Sequence, residues 1–205
     1  GHIQNALQDK TVLYDKDGDY HYDVISAFIK SVRGSDPDAA IYWLAVMLEG
    51  GEKPEFIARR LIILASEDIG NADPQALQIA VAGFQATNII GMPESAIILS
   101  QITAYLASAP KSNASYIAIN KAQEKVRKNG TPDIPLHLRN ATTNLMKKEN
   151  YGKDYKYPHN YSDKFVKENY FPSGIQETFY QPTNSGYENY IRERLIKNWP
   201  ERYNT

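Results

Sequence analysis

A chain of 205 residues with 23 basic and 24 acidic side chains, and no cysteine, has length enough for a core without covalent staples. That composition excludes a disulfide framework, thiolate metal ligation and a cysteine nucleophile, and the balanced charge argues against a strongly basic nucleic-acid binder or an acidic tail. No apolar run reaches the length of a membrane span, and Gly1-His2-Ile3-Gln4-Asn5 has neither the basic nor the apolar part of a signal peptide, so a reducing, cytoplasmic setting is expected.

Along the chain, Asp15-Lys-Asp17-Gly18-Asp19 has the look of a calcium loop. Placing Gly18 at the loop's sixth position puts Leu13 first and Val24 twelfth, where a bidentate glutamate belongs. The segment therefore reads as a turn feeding a first helix. From there proline punctuates the chain: Pro37, Pro54, Pro74, Pro93 and Pro110 fall 17, 20, 19 and 17 residues apart. Proline suits a helix's first turn, where its missing N–H would go unpaired anyway. Asp36-Pro37 and Asp73-Pro74 add an N-capping carboxylate. Gly34, Gly50-Gly51, Gly70, Gly91 and Gly130 fall where left-handed C-caps are wanted. The spacing predicts successive helices of about 12–18 residues.

Apolar periodicity agrees. Val24, Ile25, Phe28, Ile29 and Val32 line one helical face. Ile41, Trp43, Leu44 and Val46-Met47-Leu48 make a wider one. Phe56, Ile57, Leu61, Ile62, Ile63, Leu64 and Ile69 run nearly all round, which predicts a central, buried helix. Stripes follow at Leu77, Val81 and Phe84, at Ile97, Ile98, Ile102, Tyr105 and Leu106, and at Tyr116, Ile117, Ile119 and Val126. No stretch alternates with period two, so no strand is predicted.

The character changes near residue 140. Residues 141–205 hold 13 of the 23 aromatic side chains, together with Pro158, Pro172 and Pro182. Short helices are predicted over 140–149 and 188–199. An irregular segment so rich in rings should lie against another surface.

Motifs of chemistry are missing. There is no GxxxxGK[ST], GxSxG or HExxH, and His2, His21, His137 and His159 never pair at helical spacing. Two constellations stand out. Arg59 and Arg60 precede Glu67 and Asp68 on an apolar helix, which reads as an ion-pair cluster between packed helices or as trans-acting arginines. Arg139, Lys147, Lys148, Lys153, Lys156, Lys164 and Lys167 interleave with Tyr151, Tyr155, Tyr157 and Tyr161. Such a stretch suits a single nucleic-acid strand or a tyrosine-rich protein interface. The modest charge favours the interface, with Trp199 as a further anchor.

Several ordered stretches resemble the MgsA/RarA family of AAA+ ATPases, the bacterial replication-associated recombination ATPases related to the Werner-helicase-interacting ATPase. They are residues 15–38, Phe56-Ile-Ala-Arg-Arg-Leu61, Ser66-Glu-Asp-Ile-Gly-Asn-Ala-Asp-Pro74, Ala109-Pro-Lys-Ser-Asn113, His137-Leu-Arg-Asn140, and Tyr151-Gly152 through Tyr157-Pro158-His159. Asn150 stands where the family carries glycine. The resemblance implies an all-α fold: the end of the AAA+ lid at 1–18, a clamp-loader-collar-like helical bundle over 19–130, and an irregular, aromatic-rich tail with short helices over 131–205, packed on the bundle.

It also implies a C-terminal piece that holds copies of its parent together as a tetramer. The parent would be a DNA-dependent ATPase of replication, recombination and repair at stalled forks, cytoplasmic and nucleoid-associated, interacting with single-strand-binding protein and with no membrane role. ATP and Mg would bind in the parent, so this piece is expected to carry no cofactor and no enzyme activity. The alternative expectation is a module that contacts single-stranded or gapped DNA through 139–167.

Overall fold

The computed structural model describes Tyr14 and residues 18–204. The expected lid segment 1–18 and the turn at 15–17 therefore lie outside the described residues, apart from Tyr14 and Gly18. The fold is all-α, and no strand occurs among the described residues. These residues form two compact units. The first runs to Tyr116 and also takes in Thr183–Asn189; the second holds Ile117–Pro182 and the residues from Tyr190 onward.

Helices α1 (Asp19–Arg33), α2 (Pro37–Glu49), α3 (Pro54–Leu64), α4 (Gln75–Ile90) and α5 (Ser95–Ser108) build the first unit. The proline signals act at its helix starts. Pro37 and Pro54 are the first helical residues of α2 and α3, and Pro74 immediately precedes α4. Asp36 Oδ1 accepts from Ala39 N at 3.0 Å and Asp73 Oδ1 from Gln75 N at 3.1 Å, so each carboxylate satisfies an orphan donor. Pro93 and Pro110 sit instead in the links before α5 and the helix Ala114–Asn129 (α6). Gly34 keeps a negative φ, and the left-handed residue is Ser35 (φ 62°).

Between α3 and α4 the chain widens into a π-helical turn, Ala65–Ile69, followed by a 3-10 turn, Gly70–Ala72. The wider turn shifts the phase of the helix and presents Glu67 and Asp68 beside the end of α1.

Val24, Phe28, Val32, Leu44, Met47, Ile57, Leu61, Leu64, Ile69, Leu99, Ile102 and Leu106 form the core with a set of alanines. The helix with most neighbours is α5, which packs on α1, α2, α3 and α4. The expectation of a fully buried helix at Phe56–Ile69 is thus corrected: Ile63 is 47% exposed and Phe56 is also exposed. On α4 the expected stripe reaches the core only at Phe84, which is half-buried against it. Leu77 and Val81 are exposed, whereas Ala76, Ala80, Gly83 and Thr87 are buried. Small residues let α4 approach α5 closely; a Cβ on Gly83 would overlap Cδ1 of buried Ile102. Gly83→Ala should therefore cost about 1–3 kcal/mol through overpacking, read as a lowered midpoint in urea. An unchanged midpoint would show that Ile102 has room to move.

The second unit is built differently. It holds most of α6, short helices α7 (Asn144–Lys148), α8 (Glu188–Asn198, after its first two residues) and α9 (Pro200–Tyr203), and 3-10 turns at Leu136–Leu138, Pro158–Asn160 and Ser162–Lys164. Among its described residues only Pro182 is buried. Ring contacts and ion pairs take the place of a core. Phe165 meets Trp199 edge-on at 5.5 Å, Arg202 lies 4.1 Å over Trp199 and 5.4 Å over Phe171, and Lys125–Glu177 and Lys167–Glu201 pair at 2.5 and 2.8 Å. Asn150 is left-handed (φ 66°), a conformation in which asparagine substitutes for glycine at low cost.

Candidate functional site

Three arrangements in the first unit and one in the second carry the candidate chemistry. The first is the charged cluster around the π-helical turn. Asp68 is buried, and its carboxylate accepts from Arg33 at the end of α1, Nε to Oδ1 at 2.7 Å and Nη2 to Oδ2 at 3.4 Å. Glu67 lies 3.9 Å from both Arg33 Nη2 and Arg60 Nη2. Arg60, Glu67 and Asp68 are thus brought together, but around Arg33, a partner that sequence spacing did not single out. Arg59 turns away and stacks its guanidinium 5.5 Å over Phe84. A fork-shaped Arg33–Asp68 pair with a buried acceptor is a fastening between helices.

The second joins Tyr14, His21 and Glu52. Tyr14 Oη donates to Glu52 Oε2 at 3.0 Å and lies 2.8 Å from His21 Nδ1; that nitrogen is 3.0 Å from the same carboxylate oxygen. His21 and Glu52 are both buried. Burial, followed by the bond to Glu52, pushes the Tyr14 hydroxyl above the ordinary tyrosine range. The Tyr14 ring fills the space in front of Gly50, where any Cβ would overlap it. His21 therefore keeps company with Glu52, while Glu67 and Asp68 serve the arginines, and no acid–base site gathers all of them. Among the described residues no three His, Asp or Glu side chains are grouped to hold a metal ion.

The third arrangement is a surface. Helices α4 and α5 contain no charged residue at all, and Glu94 is the one charge between Gln75 and Ser108. Around the turn that joins them, Ile89 (79% exposed), Ile90, Met92 and Ile97 (72% exposed) face outward, with Leu77 and Val81 further along α4. A solvent-facing helix pair normally carries charge on its outer side. This pair instead leaves its outward isoleucines with a single charge, Glu94, in the whole stretch. Periodicity had assigned Ile97, Leu77 and Val81 to the core. The signal that finds the surface is the run of 34 residues with a single charge.

In the second unit, Arg139 is held against Tyr151, its guanidinium 5.0 Å over the ring and Nη1 donating to Tyr151 Oη at 3.0 Å, while Nε donates to Ile134 O at 2.8 Å. Lys147, Lys148, Lys153 and Lys156 are exposed. Tyr155, Tyr157 and Tyr161 are exposed too, and Tyr157 packs on His159 at 5.1 Å. Trp199 is half-buried under Arg202. The unit carries 15 Lys and Arg against 9 Asp and Glu, so the basic character of the chain resides here.

The first unit is thus an all-α body with capped helices, fastenings between them and an uncharged outer face. Comparison with known families specifies it further. Residues 34–199 match the family described as MgsA AAA+ ATPase C terminal, and residues 1–33 match the AAA C-terminal domain. The chain belongs to the MgsA AAA+ ATPase C-terminal family.

It is 52% identical over 184 residues to an uncharacterized protein of Thermotoga maritima, covering 89% of this chain and 30% of that one. It is 47% identical over 197 residues to replication-associated recombination protein A of Coxiella burnetii (95% and 45%). With ATPase WRNIP1 of Dictyostelium discoideum it shares 45% identity over 179 residues (86% and 20%). The chain spans less than half the length of these curated relatives. No helix among the described residues is long and apolar enough to cross a membrane.

Proposed function

We propose that this chain is the assembly region of a AAA+ ATPase of replication-associated recombination. It holds copies of the parent together as a tetramer, and ATP and Mg bind elsewhere in the parent. The uncharged α4–α5 pair with its outward Ile89, Ile90, Met92 and Ile97 carries this reading. Burying a large aliphatic side chain stabilises by about 1.5–3 kcal/mol, so a few such residues on each copy supply much of a stable contact. In this reading the parent acts on DNA and meets single-strand-binding protein in the nucleoid, while the present residues provide spacing and hydrolyse nothing.

The test is the mass of the chain in solution. Light scattering at about 10 µM, well above the dissociation constant of an obligate interface, should give four times the 23.2 kDa of one chain. A single-chain mass, or ATP turnover by the isolated chain, would overturn the reading.

A further inference from the structure

We propose that the seat beneath the strap Thr183–Asn189 is a peptide-docking site, filled here by the chain's own segment and able to take the same segment presented on another polypeptide. The first unit otherwise ends at Tyr116, and the strap returns to it only after residues 117–182 of the second unit. Its attachment is therefore a closure between distant parts of the chain.

The strap holds its own shape. Thr183 N and Oγ1 both donate to Glu188 Oε1, and Thr183 Oγ1 accepts from Ser185 N at 3.1 Å. Glu188 N donates to Ser185 O at 3.1 Å and Asn189 N to Gly186 O at 3.2 Å. A hook closed by its own bonds loses little conformational freedom on docking.

The seat is built independently. Ser112 N donates to Asp68 O at 2.9 Å, and the Asp68 carboxylate is held by Arg33. Ser112 Oγ accepts from Ala114 N at 3.2 Å, and Lys111 Nζ donates to Ala107 O at 3.0 Å and Ala109 O at 2.6 Å. Asp73, next to Ala72, accepts from Gln75 N and Tyr105 Oη. None of these bonds involves the strap.

Recognition between the two runs through Glu188, Tyr187 and Gly186. Ser112 Oγ donates to the buried Glu188 carboxylate, and Tyr187 N donates to Ala72 O. Gly186 lies so close to Ala72 O and Pro110 that no Cβ fits. The strap's one large ring, Tyr187, is 51% exposed, so bulk apolar burial is not what holds it. A carboxylate read by a hydroxyl, a main-chain bond and an approach open to glycine alone are the means by which peptides are recognised. Together with the internal bonds they specify Thr-x-x-Gly-x-Glu.

Gly186→Ala empties the seat, because its φ of 54° and the overlap with Ala72 O both exclude a side chain. The full chain carrying this change, checked for wild-type helicity, is titrated with a fluorescein-labelled peptide of residues 181–190 and followed by anisotropy. The peptide should bind it. It should bind the wild-type chain at least about tenfold more weakly, since a tethered strap competes at an effective concentration of about a millimolar. Glu188→Ala in the peptide should weaken binding by more than about tenfold, as should adding Ser112→Ala to the chain. A helical Gly186→Ala chain that binds no peptide, or binds the Glu188→Ala peptide equally well, would overturn the proposal.

A second measurement uses the wild-type chain and needs no variant. If the strap leaves its seat as a unit, the Tyr187 amide should exchange with solvent at least about a hundredfold faster than those of Leu99, Ile102 and Leu106 in the core of α5. Equal rates would mean that the strap leaves only when the whole unit unfolds, and would overturn the proposal as well.

Discussion

Ile89→Glu/Ile97→Glu is expected to reduce the assembled chain to single copies. Both side chains are more than two-thirds exposed, so the substitutions remove nothing from the core, and folding stability should move by about 0.5 kcal/mol or less. Assembly responds very differently. Each copy would bring two carboxylates into an apolar contact that offers them no partner, and an unpaired buried charge costs several kcal/mol. The expected outcome is a fall of more than about a hundredfold in assembly affinity. Light scattering would give the mass of one chain at a concentration where the parent sequence gives four, with an unchanged thermal midpoint. Retained assembly would move the contact off the α4–α5 turn, and the exposed tyrosines Tyr155, Tyr157 and Tyr161 would be the next surface to alter.

The second large effect is expected at Glu188, the first residue of α8, whose side chain is fully buried. Ser112 Oγ, Thr183 N and Thr183 Oγ1 all donate to its Oε1, at 2.6, 2.7 and 2.8 Å. Around it, Tyr187 N donates to Ala72 O at 2.9 Å, and a Cβ on Gly186 would overlap that same carbonyl. These bonds seat the strap Thr183–Asn189 in the first unit. Hydrogen bonds to a charged group contribute about 1.5–3 kcal/mol each, and stranding buried donors adds a desolvation cost. Glu188→Ala should therefore lose about 3–5 kcal/mol, measured by urea unfolding. Glu188→Gln keeps an acceptor in place and should lose less. Equal midpoints for the alanine variant and the parent sequence would mean that the strap contributes nothing to stability.

How much of this could be read beforehand follows from the physics of each feature. Helix starts were legible at Asp36-Pro37 and Asp73-Pro74, because a cap is a local interaction between residues two or three apart. Val24, Phe28 and Val32 were legible because a large apolar stripe on an otherwise polar helix has one place to go. The buried face of α4 was hidden for the opposite reason. Where two helices approach closely, small side chains lie inside, and Ala76, Ala80 and Gly83 carry little hydrophobic signal beside Leu77 and Val81. The choice of Arg33 over Arg59 as partner for Asp68 depends on the extra width of the π-helical turn, which no spacing rule registers. Nor does anything near Glu188 announce a buried carboxylate. Its donors come from Ser112 and Thr183, and the former lies 76 residues away in the chain.

The strap also bears on how the polypeptide can be cut. Residues of the second unit flank Thr183–Asn189 on both sides, so the two units alternate along the sequence. A shortened gene product ending near residue 130 would contain every long helix of the first unit and still lack one of its structural parts. A nick in the intervening polypeptide would leave that part in place, tethered by its own bonds. Integrity of this body therefore follows from which pieces are present, more than from whether the main chain between them is continuous.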